Sequence, residues 1–126
     1  MRRLKGYGSR VLSIALSPDG NRALSGHVDA SVRVWDLENM EEIHRLERHL
    51  AEVSAVAFAP DGRTVFSGSL DNTVRCWDTT TWRQVGICRG DLPVYCLAVS
   101  PDGHTVLVAG LGGHVQRWGW PHSNGQ

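Results

Sequence analysis

The side chains in this chain that could do chemistry are spread along it rather than gathered. Six histidines stand at 27, 44, 49, 104, 114 and 122, with no HxH or HxxxH spacing to hold a metal on one face of an element. Cys76, Cys88 and Cys96 form no CxxC pair, so neither zinc nor a redox dithiol is expected. All three are read as buried apolar thiols in a reducing cytosol. Asp19, Asp61 and Asp102 each sit in a Pro-Asp-Gly turn, too dispersed to act as an acid/base pair. Ser-Gly at 25–26 and 67–68 has no helix behind it and so is not a nucleophile elbow. Gly110-Leu111-Gly112-Gly113 lacks the lysine and the following helix of a phosphate loop. The arginines form no stripe with aromatics between them. The expectation is a chain with no catalytic residue, no metal and no cofactor.

The elements that carry these residues repeat. Pro-Asp-Gly recurs at 18–20, 60–62 and 101–103, and tryptophan at 35, 77 and 118. The Pro-to-Trp distance is 17 each time, so the one residue by which the second period is shorter lies between Trp77 and Pro101. A period of about 40–45 residues with alternating apolar runs suits a repeated four-stranded sheet. The first repeat predicts strands at 11–16, about 22–25, 31–36 and 43–47. The second predicts 53–58, 64–67, 73–78 and about 83–88, and the third 94–99, 105–109 and 114–118. Lysine plus arginine equals aspartate plus glutamate at 13 each, which gives no net field for nucleic acid or an anionic membrane. At 41% hydrophobic, 126 residues are enough to bury a core. Arg2, Arg3 and Lys5 ahead of Val11–Leu16 have the outline of a leader, but that apolar run aligns with Val53–Phe58 and belongs to the first repeat.

Trp-Asp at 35–36 and 77–78, the Pro-Asp-Gly turns and the Ser-Gly-x-x-Asp elements together resemble WD40 repeats over about residues 4–120. The resemblance implies an all-β fold of propeller blades, each a four-stranded antiparallel sheet. It divides one domain, 1–126, into blades at about 7–47, 48–89 and 90–120. It also implies a hydrogen-bonded chain of histidine, serine, aspartate and tryptophan inside each blade. Carried over, the second blade holds the full set in His49, Ser67, Asp71 and Trp77. The first keeps Ser25, Asp29 and Trp35, with Tyr7 where the histidine would stand. The third keeps Trp118, with Gly90 or Asp91, Ala109 and Gly112 in the other places, and is expected to be softer. The resemblance further implies a rigid, non-catalytic platform for a protein or peptide. The partner-facing places transfer to Arg10, Leu12, Val28, Glu52, Ser54, Leu70, Pro93, Tyr95 and Leu111.

The family pattern is incomplete in number. Closed propellers have about 4–8 blades, and three cannot close. The third repeat also lacks its outer strand, while Arg2–Lys5, centred on Arg3 and Leu4, stand 42 residues ahead of Arg45-Leu46 as an outer strand with no blade. The expectation is a cytoplasmic homodimer forming a six-bladed ring, in which that strand of one copy completes the third blade of the other. A nine-bladed trimer and a piece of a longer propeller are the alternatives, as is a purely structural or engineered self-assembling unit. Arg117 occupies the place of Val34 and Cys76, so it falls at this junction, either paired across it or extended to the rim with its stem buried.

Overall fold

The computed structural model describes residues 8–110 and 113–119. Eleven strands form three antiparallel sheets, and no helix occurs among the described residues. The first sheet is β1 (Val11–Leu16), β2 (Arg22–His27), β3 (Val32–Asp36) and β4 (Glu41–Leu46), in that spatial order. The second is β5 (Val53–Phe58), β6 (Thr64–Ser69), β7 (Thr73–Asp78) and β8 (Gln84–Arg89). The third has three strands, β9 (Val94–Val99), β10 (Thr105–Gly110) and β11 (Val115–Gly119). The second strands run two residues past Ser25 and Ser67, because their main chains keep pairing up to the tight turn, as His27 with Val11 and Ser69 with Val53 show.

Local chemistry explains the turns. In each Pro-Asp-Gly turn the aspartate caps its own loop: Asp19 Oδ1 accepts from the Ser17 hydroxyl at 2.6 Å and from the Asn21 N–H at 2.9 Å. The glycine that follows has φ of +78°, +73° and +78° at Gly20, Gly62 and Gly103, a conformation that a side chain would strain. The tight turns between second and third strands end on a left-handed residue: Ala30 (φ 74°), Asn72 (φ 74°) and Gly113 (φ 76°).

The sheets pack face to face in chain order. Leu24, Val32, Val34 and Leu46 of the first meet Val53, Val56, Val65, Trp77 and Trp82 of the second in one apolar cluster. Phe66, Val74 and Cys76 of the second meet Val94, Val106 and Val108 of the third in another. Each fully buried aliphatic side chain contributes about 1.5–3 kcal/mol. Approach is closest along the first strands. A Cβ on Gly26 would lie 2.6 Å from the Val53 carbonyl oxygen, and one on Gly68 the same distance from a Val94 methyl.

The two outer ends of this stack contrast with its joints. Val53, Val56 and Phe58, and likewise Val94, Leu97 and Val99, pack on the preceding sheet. Their counterparts in the first sheet, Val11, Ile14 and Leu16, are 53%, 69% and 63% exposed. Leu24, Val32 and Val34 are fully buried, and Phe66, Val74 and Cys76 nearly so. Their counterparts Leu107 and Val115 are 44% and 69% exposed, and Arg117 is exposed beside them. Val85, 61% exposed, flanks the third sheet, where no fourth strand occurs among the described residues.

One expectation needs correcting here. Of the three cysteines only Cys76 is buried; Cys88 is half-buried and Cys96 exposed. Cys96 lies on the innermost strand of the last sheet and Cys88 on an outer strand, where solvent reaches one face. The Arg2–Lys5 strand, with Arg3 and Leu4, lies outside the described residues.

The glycine contacts give a direct test. Gly26→Ala presses a methyl onto main chain that cannot swing aside, and should lower stability by about 1–3 kcal/mol in urea unfolding. Gly119→Ala, with open space around it, should stay within about 0.5 kcal/mol of the parent.

Candidate functional site

The second sheet assembles a continuous polar chain through its interior. The Trp77 indole N–H donates to Ser67 Oγ at 2.9 Å. The Ser67 hydroxyl lies 2.7 Å from His49 Nε2, and His49 Nδ1 lies 3.0 Å from Asp71 Oδ2. Thr73 Oγ1 donates to Asp71 Oδ1 at 2.5 Å. Strand pairing sets this up: Ser67 is opposite Arg75 and Val65 opposite Trp77, so serine and indole share one face of neighbouring strands. Only one proton arrangement satisfies every member, with neutral His49 accepting at Nε2 and donating from Nδ1–H. Burial holds the His49 imidazole below its ordinary value, against the pull of Asp71. Burial alone would raise the Asp71 carboxyl, but hydrogen bonds from Thr73, the Leu50 N–H and His49 outweigh it and bring it to about 2.

The first sheet reaches the same end by another route. Trp35 N–H donates to Ser25 Oγ at 2.8 Å, and Ser25 meets His27 Nε2 at 2.6 Å. His27 Nδ1 then faces the Ser9 carbonyl at 3.3 Å. So the imidazole comes from β2 itself, two residues after the serine, where the second sheet has Ser69. Tyr7 lies outside the described residues. Asp29, expected to join this chain, instead accepts from Ser31 and from Arg33 Nη2 at 2.8 Å. His27 and Arg33 are both essentially inaccessible to solvent. Burial, then the nearby Arg33 charge, pushes the His27 imidazole down.

The third sheet keeps the indole without the chain. Trp118 N–H donates to Gln116 Oε1 at 3.1 Å on the surface. The serine's place is taken by Val108, not Ala109, since Val108 pairs with Gln116 as Ser67 pairs with Arg75. Gly90 stands in the histidine's place, against the Trp118 ring. A hollow of about 20 Å³, room for one water, replaces the missing side chains between Gly90, Val108, His114 and Trp118. Gly112 lies outside the described residues.

The candidate partner-facing residues gather at the loop end of the sheets. Val28 N–H bonds the Arg10 carbonyl, and Leu70 N–H the Glu52 carbonyl, each at 3.0 Å. Arg10, Leu12, Val28 and Tyr95 are exposed; Glu52, Ser54, Leu70 and Pro93 are half-buried. Ser54 is committed to the joint between second and third sheets, where its hydroxyl donates to the Val94 carbonyl. Leu111 lies outside the described residues. Two residues missing from this set are Leu50, 86% exposed, and Leu92, in the connections leading to β5 and β9. Both were visible as leucines in loops, a signal that a search for strand periodicity passes over. Among the described residues no cluster of histidine, cysteine or carboxylate is placed to hold a metal ion.

The family model described as WD domain, G-beta repeat matches residues 1–36, 40–78 and 82–119. The chain belongs to the WD40 family. A 33-residue stretch, 26% of this WD40 chain, is 52% identical to the vegetative incompatibility protein HET-E-1 of Podospora anserina, and it spans 2% of that protein's length. WD40 repeats indicate a protein-interaction scaffold, and nothing in the matches points to an enzyme.

The polar chains predict a two-step loss of stability in acid. His27 and His49 stay neutral in the fold, so the unfolded chain takes up protons first, and stability should fall as pH drops below about 6.5. Asp29 and Asp71, at about 2 against an ordinary 3.8, contribute stability above 3.8 that is lost as pH falls toward 2. His27→Ala should lower stability at pH 7 by about 2 kcal/mol and flatten the first step in urea melts run between pH 7 and 5.

Proposed function

We propose that this WD40 chain is a self-assembling half-propeller, closing a six-bladed ring with a second copy of itself and presenting the loop end of that ring to a protein or peptide. The observation that carries the reading is positional. Val11, Ile14 and Leu16 are exposed at one end of the stack and Leu107 and Val115 at the other. Each is the repeat counterpart of a residue packed against the neighbouring sheet at both inner joints. A second copy laid head to tail brings the trailing face of one chain onto the leading face of the other, in the same order of positions as the joints within the chain. Two such junctions close six blades, a number that propellers allow. In that ring Arg117 lies at the junction, where a carboxylate or carbonyl of the other copy can take its charge. The 2–5 segment of one copy lies beside β11 of the other and covers an otherwise bare edge.

The loop end then offers Leu12, Val28, Leu50, Leu92 and Tyr95, apolar side chains at a surface that contact with a partner would desolvate. Sedimentation equilibrium tests the assembly. The expected mass is twice the chain's 13.9 kDa, falling to 13.9 kDa in Ile14→Lys. A parent protein that sediments at 13.9 kDa across the micromolar range overturns the ring.

A further inference from the structure

Repeats act as internal controls on one another, and the first two sheets differ in charge around one arginine that both contain; Ile87 in the second also replaces Arg45 opposite it. Arg33 and Arg75 occupy equivalent positions on β3 and β7, opposite Ser25 and Ser67. Arg33 is compensated. Its Nη2 donates to Asp29 at 2.8 Å, its Nε to Ser31 Oγ at 3.3 Å, and Glu42 lies 3.9 Å from Nη1. Arg75 is not compensated in the same way. Asp71 is turned toward His49, Leu50 and Thr73, which leaves its carboxylate 3.9 Å from Arg75 Nη2, outside hydrogen-bond range. Gln84 replaces Glu42 and accepts from Arg75 Nη1 at 3.0 Å, a neutral oxygen where the first sheet has a carboxylate. The Arg75 Nε is buried and meets no acceptor among the described residues.

Further positive charge is added around this guanidinium. Arg89 stands where the first sheet has Glu47. On β8 it pairs with Thr73 of β7, so it shares the face of Arg75 one diagonal away. Arg48 immediately precedes His49, whose ring lies on that same face. Among the described residues no carboxylate forms an ion pair with Arg48 or Arg89. Burial, and then repulsion from Arg89 and Arg48 against the pull of Asp71, lower the pKa of Arg75. Beside the cluster, a cleft of about 510 Å³ between β4 and β8 is lined by Arg48, Gln84, Arg83 and Trp77. It opens Arg48 to solvent and reaches Gln84, the side chain that accepts from Arg75, with Arg45 and Glu47 also on its wall.

We infer that Arg48, Arg75 and Arg89 form a binding site for a phosphate monoester dianion, such as a phosphorylated side chain of a docked protein. Guanidinium groups match phosphate oxygens in geometry, and three of them against Asp71, already engaged, and Glu47 on the cleft wall leave a net positive charge that favours an anion. Crowded like charges repel, and an anion seated among them would relieve that repulsion.

The full chain is titrated with sodium phosphate, and separately with N-acetyl-O-phosphoserine amide, against sodium chloride at matched ionic strength. Binding is followed by the arginine Nε–H resonances and by Tm. Both phosphates should shift the Arg75 resonance and raise Tm above the chloride control. A Kd about tenfold lower for the phosphoserine amide assigns the site to a phosphorylated protein, and equal values assign it to the free ion. The Arg48→Ala/Arg89→Ala variant should weaken binding by at least about tenfold. In chloride it should melt at or above the parent temperature, since a repulsion has been removed. Indistinguishable phosphate and chloride titrations overturn the site. So does a double variant that melts lower in chloride while binding phosphate unchanged, which would make these arginines structural. The readout is the same whether the chain is one copy or two, so it stands or falls separately from the ring.

Discussion

A sheet that is apolar on both faces cannot be stable alone in water, and every part of this chain answers to that constraint. Each sheet has a leading and a trailing apolar face, and each finds cover only on the next sheet. The glycines on the second strands follow from it, since only a residue without Cβ lets the next first strand come within van der Waals reach. The inter-sheet hydrogen bonds follow too. Val56 N–H donates to Ser13 Oγ at 3.2 Å across the first joint, and Ser54 bonds the Val94 carbonyl across the second. These fix the stagger of neighbouring sheets, which apolar contact alone leaves loose.

Within a sheet, a second need is met in two different ways. A buried indole N–H needs an acceptor, and a buried serine that accepts it needs somewhere to donate. In the second sheet the acceptor is His49, reaching in from the connection and held by Asp71. In the first it is His27, reaching across from the serine's own strand and held by the Ser9 carbonyl. The exchange changes the aspartate. Freed from the imidazole, Asp29 turns to Arg33 and allows a fully buried guanidinium. Held by the imidazole, Asp71 leaves Arg75 short of a partner. One substitution in the hydrogen-bond chain thus propagates to the charge balance on the strand beside it.

This explains how far the sequence could be read. The repeat period, the turns and all three first strands, 11–16, 53–58 and 94–99, follow from local rules: alternation, proline and glycine at fixed turn positions, aspartate capping its own loop. The grouping of His49, Ser67, Asp71 and Trp77 came from the family resemblance rather than from local rules, and the second sheet joins these four side chains by hydrogen bonds. His27 was not, because its role depends on which of two directions fills one volume, and spacing is silent on that. The burial of Arg33 was equally hidden, since an arginine alternating with valines reads as a solvent-facing residue until its two carboxylates are seen. Val108 was within reach: the constant 17 residues from Pro101 to Trp118 already align it with Ser67, and Ala109 follows only if the missing residue is misplaced.

The two ends of the stack carry different kinds of incompleteness. On the leading face, exposed large apolar side chains are confined to the innermost strand, while Ala23 and Trp35 on neighbouring strands are buried. On the trailing face it extends across the sheet, from Leu107 on β10 to Val115 and Arg117 on β11. A largely apolar face that carries one arginine suits a single, oriented neighbour better than indiscriminate association. Arg117 is costly against any surface that lacks an acceptor at one place and neutral against one that has it, so the charge selects among apolar partners. A head-to-tail contact generates a closed ring only if the rotation per blade divides the circle, and otherwise an open filament. The two inner joints differ in bulk: Leu24 clusters with Val53 at one, and Phe66 with Val94 at the other. Leu107 returns the trailing face to the residue type of Leu24, so the outermost face offers the bulk found at the first joint rather than that of Phe66 at the second.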